Sequence, residues 1–105
     1  MFITDIPFSA TAAGTNSGAT ATEGAVAGRT HVVTEISGHT DTDSLIQILD
    51  GAAVVWQSKV DVSVDGLSFS FPGLNVLCSN GVAAGGKVAS STTDCQVNIS
   101  GGSIP

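Results

Sequence analysis

Apolar and polar residues alternate with a period of two over much of this chain, most cleanly from Ala53 to Val64. There Val54, Trp56, Val60, Val62 and Val64 share one parity, while Gln57, Lys59, Asp61, Ser63 and Asp65 hold the other. Successive side chains of a strand point to opposite faces, so this pattern predicts a half-buried antiparallel strand. Similar signals recur on either side. THVVTEIS sets Val32, Thr34 and Ile36 against His31, Val33 and Glu35, and SLIQIL is apolar on both faces, as a central strand requires. LSFSF alternates Leu67, Phe69 and Phe71 with serines; LNVLC, VAAGGKVAS and CQVNIS complete the series.

Turn residues punctuate these segments. Asp50-Gly51 predicts a hairpin between SLIQIL and the Trp56 strand, Asp65-Gly66 is a second signal, and Pro72-Gly73 and Asn80-Gly81 close later strands. No segment joins helical periodicity to a cap. Seven or eight short strands at regular spacing predict an all-β fold, an antiparallel β-sandwich or jelly-roll-like single domain. Its expected core is Val32, Ile36, Ile46, Ile48, Val54, Trp56, Val60, Val62, Phe69, Phe71, Leu74, Val76, Val97 and Ile99.

The first 28 residues differ in kind. Phe2, Thr4 and Ile6 alternate with Ile3, Asp5 and Pro7, suggesting a short extended segment ended by proline. Ser9 to Arg29 is then built almost wholly of small residues, with Val26 the one larger aliphatic. Such a stretch cannot form a core of its own and is either a linker or an extended arm that orders on a partner. The expected organisation is therefore an N-terminal arm over 1–28 and a sandwich over 29–105. The arm's contacts to a partner protein or sister subunit would come from Phe2, Ile3, Ile6, Phe8 and Val26.

Charge narrows the choice of partners. Charged residues are 11% of the chain, the net charge is −6, and the cations are Arg29, Lys59 and Lys87. Three dispersed cations cannot form a phosphate-binding stripe or meet an anionic lipid surface, so neither nucleic acid nor membrane is an expected partner. No apolar run approaches the roughly 20 residues of a spanning helix. MFITDIPF lacks a basic leader, so export by the general pathway is not expected. A surface poor in charge resists association weakly, which predicts a homo-oligomer or another protein covering part of it.

Candidate chemistry is sparse. Leu74, Val76 and Cys78 share one face and Cys95, Val97 and Ile99 another, so both thiols point inward; they are either a disulfide, if their strands are neighbours, or two buried free thiols. No Cys-x-x-Cys spacing argues for redox work. His39, Asp41 and Asp43 in GHTDTD are the one cluster of metal-competent side chains, but they lack the spacing of a calcium loop and read better as turn formers. His31 and Glu35 share a strand face and read as a solvated pair. No Gly-x-Ser-x-Gly elbow marks a serine nucleophile. Trp56, by its parity, is a core residue rather than a sugar platform. Asn98-Ile99-Ser100 fits a glycosylation acceptor only by its short pattern. No catalytic residue, metal or cofactor is expected, and the chain does not read as an enzyme.

The block from SLIQILDG through AVVWQSKV, LSFSFPG and the Gly/Ala-rich stretch to CQVNISG resembles small β-sandwich head decoration or cement proteins of tailed bacteriophages. The likeness covers about residues 30 to 101. Its pattern is a strand, Asp-Gly, a Trp-bearing strand, Phe-Ser-Phe-Pro, and a final Val-x-Ile-x-Gly strand. The chain departs from that pattern in carrying Cys78 and Cys95. The resemblance implies a viral structural protein, made in the host cytoplasm and placed on the outer surface of the virion head. There it would bind the major capsid protein and stabilise contacts between capsid subunits, as a trimer or, second, a dimer. The alternative is a carbohydrate- or receptor-binding sandwich of a tail or head fibre.

Overall fold

A computed structural model describes residues 6–65, 67–91 and 94–105, apart from the side chains of Val64 and Asp65. The described residues form β1 (Ile6–Thr15), β2 (Ala19–Glu23), β3 (Thr30–Thr40), β4 (Ser44–Asp50), β5 (Ala53–Val60), a single helical turn α1 (Val62–Asp65), β6 (Ser68–Phe71), β7 (Val76–Leu77), β8 (Ala84–Val88) and β9 (Asp94–Ile104). All strand pairs are antiparallel. One sheet runs β1-β9-β3-β6, with β7 also on β3, and the other runs β2-β8-β4-β5. They pack face to face as a sandwich with extents of 47 × 22 × 18 Å.

The chain changes sheets repeatedly, and β4–β5 is the hairpin that stays within one sheet. It turns at Gly51, whose φ of 63° suits the residue after Asp50. The Asp65-Gly66 signal does not make a second hairpin: β5 and β6 lie in different sheets, joined through α1, and Gly66 lies outside the described residues. The Trp56 strand accordingly ends at Val60. Asp61 turns the chain by accepting the Ser63 N–H at 3.0 Å, and Asp43 Oδ1 accepts the Val62 N–H at 3.0 Å.

The small-residue segment is extended, but it is part of the sandwich. β1 pairs with β9 from Ile6↔Ser103 to Thr15↔Asp94, and β2 pairs with β8 from Ala19↔Val88 to Glu23↔Ala84. The boundary expected at residue 28 is thereby corrected, since residues 6–23 supply an edge strand to each sheet. Pro7 does not end the segment; it sits near the start of an edge strand, one of the places where a strand tolerates proline. The small side chains are needed at the corner between β1 and β2. Asn16 takes a left-handed φ of 58°, and a Cβ on Gly18 would run into the Val88 carbonyl oxygen.

Ile36, Ile46, Ile48, Val60, Phe69, Val97 and Ile99 are buried as expected, joined by Val33, Val88, Ala21 and Ala84. Trp56, Val62, Phe71, Leu74 and Val76 are half-buried against them. Val32 and Val54 are corrections. A bulge between Val33 and Glu35 slips the parity of β3, so His31 and Val33 face inward before Ile36 does. A second irregularity, at Ile48/Leu49, leaves Val54 48% exposed.

Candidate functional site

The two flanks of the sandwich are built differently, and the open one holds its groove. On one flank β6 ends the first layer and β5 the second; each pairs on one side only among the described residues. Ser58, Lys59 and Val60 of β5 and Ser68, Phe69, Ser70 and Phe71 of β6 line a groove of about 350 Å³ between them. Of these, Val60 and Phe69 are buried and Phe71 half-buried, while Lys59, Ser68 and Ser70 are exposed. Trp56 of β5 meets Phe71 edge-on across the two layers, with ring centroids 5.2 Å apart at 66°. Trp56 is thus a packing residue at the margin of the core, not a flat exposed platform. Val54 and Val55, at the start of β5, stay 48% and 44% exposed.

The outer faces are rows of amides and hydroxyls. Thr11, Asn98, Ser37 and Ser70 lie in one register row across the first sheet, and the Thr11 hydroxyl donates to Asn98 Oδ1 at 2.8 Å. Across the second sheet run Thr20, Lys87, Gln47 and Gln57, with Gln47 Nε2 donating to Gln57 Oε1 at 3.2 Å.

The two thiols are buried and free, and the disulfide left open by the sequence does not form. Cys95 pairs with Thr40 at one end of β3, whereas the Cys78 N–H donates to the His31 carbonyl at the other end. Nine residues of strand separate those points by roughly 30 Å, far beyond disulfide reach. Burial, helped by the nearby Asp50 carboxylate, pushes the Cys78 thiol up from its ordinary pKa.

His31 does not pair with Glu35 in solvent. The bulge turns it inward to 1% exposure, where Nε2 lies 2.7 Å from the Gly24 carbonyl and Nδ1 lies 2.5 Å from Ser103 Oγ. A carbonyl only accepts, so Nε2 carries the proton, and in the neutral ring Nδ1 receives the Ser103 hydroxyl proton. The Arg29 guanidinium donates to the Ser103 carbonyl, and Phe8 packs edge-on to the imidazole at 5.2 Å. Serine and histidine are in contact, yet both are sealed from solvent, and Nε2 is held by a carbonyl rather than by a carboxylate. The contact ties β1, β3, β9 and the β2–β3 loop together.

The GHTDTD carboxylates are used locally. Asp41 Oδ2 accepts the Asp94 N–H at 3.3 Å and Asp43 receives the Val62 N–H, and among the described residues no three His, Cys, Asp or Glu side chains converge as for a metal ion. Hydrogen bonds from the Ser63 hydroxyl and N–H hold the exposed Asp61 carboxyl below its ordinary pKa. Of the expected contact residues, Ile6 is 55% and Val26 46% exposed, Phe8 is half-buried against His31, and Phe2 and Ile3 lie outside the described residues.

The fold and its flank define an antiparallel β-sandwich with a laterally open groove. In comparisons with known proteins, no family, no curated protein and no solved structure matches this chain.

Proposed function

We propose that this chain is a structural protein of a phage head, a decoration protein that lies on the outer surface of the capsid and bridges major capsid subunits without performing a reaction. The observation that carries the reading is the character of its surface. Rows of Ser, Thr, Asn and Gln, with Lys87 the one charge in them, cross both sheets, and exposed aliphatics at Ile6, Val26, Leu45, Val54, Val55, Leu67 and Leu77 interrupt the polar surface. Such a surface desolvates at low cost, because few full charges must be stripped of water before contact. The resemblance of residues 30 to 101 to phage cement proteins supports the same reading. A net charge of −6 suits the outside of a shell whose interior holds DNA. Ile6, exposed at the head of β1, is an aliphatic side chain that a contact along a capsid groove would cover.

The test is sedimentation of the full chain with empty heads assembled from the major capsid protein encoded nearest to its gene. The expected result is co-sedimentation at a fixed ratio to capsid subunits, with heads that resist heating better when decorated. Protein that stays in the supernatant at every ratio overturns the proposal, and saturable binding on a glycan array would transfer it to the carbohydrate-binding class.

A further inference from the structure

The geometry points to self-association through β5: two copies pair antiparallel about Gln57, joining their β2-β8-β4-β5 layers into one eight-stranded sheet, each Trp56 covering the other copy's groove. The starting point is a lightly guarded edge, whose one charge, Lys59, and one irregularity, opposite Ile48/Leu49, both lie off the Gln57 axis. β5 offers eight residues with no proline and one charge, and Val54 and Val55 stay 48% and 44% exposed. Natural edges are ordinarily guarded by proline, charge or shortness. The other free edges are guarded more heavily: Pro7 on β1, Glu23 on the five-residue β2, and only four residues in β6 and two in β7.

Charge and shape select the register. Pairing about Gln57 sets Lys59 opposite the partner's Val55, so the two ammonium groups stand roughly 14 Å apart, beyond the screening length of about 8 Å at physiological salt. Pairing about Ser58 would bring them to about 7–8 Å, diagonal neighbours of like charge. Pairing about Trp56 would stack the two indoles on each other and leave the groove empty. About Gln57, the large Trp56 meets the small Ser58 of the facing strand, at the mouth of the groove lined by Ser58, Val60, Phe69 and Phe71. The two Gln57 side chains meet at the axis on the outer face, extending the Gln47–Gln57 amide row across both copies. Such an edge contacts its own copy and closes at two, so it builds the dimer rather than the trimer. This inference stands apart from the capsid reading, and neither fails with the other.

The test uses the full-length chain and two opposite charges at the axis. By light scattering, the wild type is expected at twice the 10.4 kDa of one chain. Its single tryptophan should shift to shorter emission wavelength as concentration rises. Gln57→Lys and Gln57→Glu each set like charges face to face, and each should weaken the dimer about two- to fivefold. Mixing the two variants should restore dimer mass and the blue-shifted emission, which a folding defect in either could not do. A wild type that stays monomeric at 100 µM, or a dimer indifferent to both substitutions, overturns the proposal.

Discussion

The closed and open flanks of this sandwich solve one problem in opposite ways. On the closed flank β1 and β2 follow each other through a three-residue corner, and the small Ala10, Ala12, Ala19 and Ala21 pack against the core there. On the open flank β5 and β6 are held apart by aromatic side chains, with α1 bridging one end and a groove left between. Small residues let two edges seal against each other; large ones leave an edge that another molecule can complete. The flank that looked least structured in sequence is therefore the more finished one.

Removing the closed flank should have the largest effect. A chain lacking residues 1–23 loses both edge strands and bares β9 and β8, so circular dichroism should show loss of the folded state rather than a trimmed sandwich. Retention of a cooperative melt would mean that β1 and β2 are dispensable cover. Next comes Gly18→Ala. Its methyl meets the backbone of Val88 and Ala89, which cannot rotate away, and a loss of about 1–3 kcal/mol is expected in urea unfolding. The same kind of addition on the open flank, Ser58→Val, has the groove to enter and should change stability by no more than about 0.5 kcal/mol.

The smallest effect concerns acid. Asp61, at the end of β5, has its folded pKa lowered by the Ser63 hydrogen bonds. The stability it contributes is therefore present above the unfolded carboxylate value of about 4 and is lost as pH falls through the depressed folded value. Asp61→Asn should flatten that part of the melting-temperature profile below about pH 4 and leave it parallel to wild type near neutrality. An unaltered acid limb would show that the bond at the mouth of α1 does not hold the open flank.

The strands from β3 onward were legible because alternation and turn residues report strand content directly. The Asp50-Gly51 hairpin and the burial of Ile46, Ile48, Phe69, Val97 and Ile99 follow from those signals. What escaped had physical reasons. Val32 and Val33 are equally apolar, so nothing in β3 marks the bulge that turns His31 inward. Its Ser103 partner lies 72 residues away, a distance that no local pattern spans. The small residues of β1 and β2 do suit an extended segment that orders on another surface; that surface is the chain's own. The groove was invisible because β5 and β6 are brought opposite each other only by the crossing at α1.

β9 lies between β1 and β3, at the centre of its sheet. It is the last of the nine strands to leave the ribosome, so the first layer has no middle until synthesis has passed residue 104. The earliest strands must wait unpaired for the latest, which places this chain among slow-folding domains of high contact order, in milliseconds to seconds. A molecule made this way acquires its architecture in one late step, and the apolar β5 edge emerges long before that step can complete its layers.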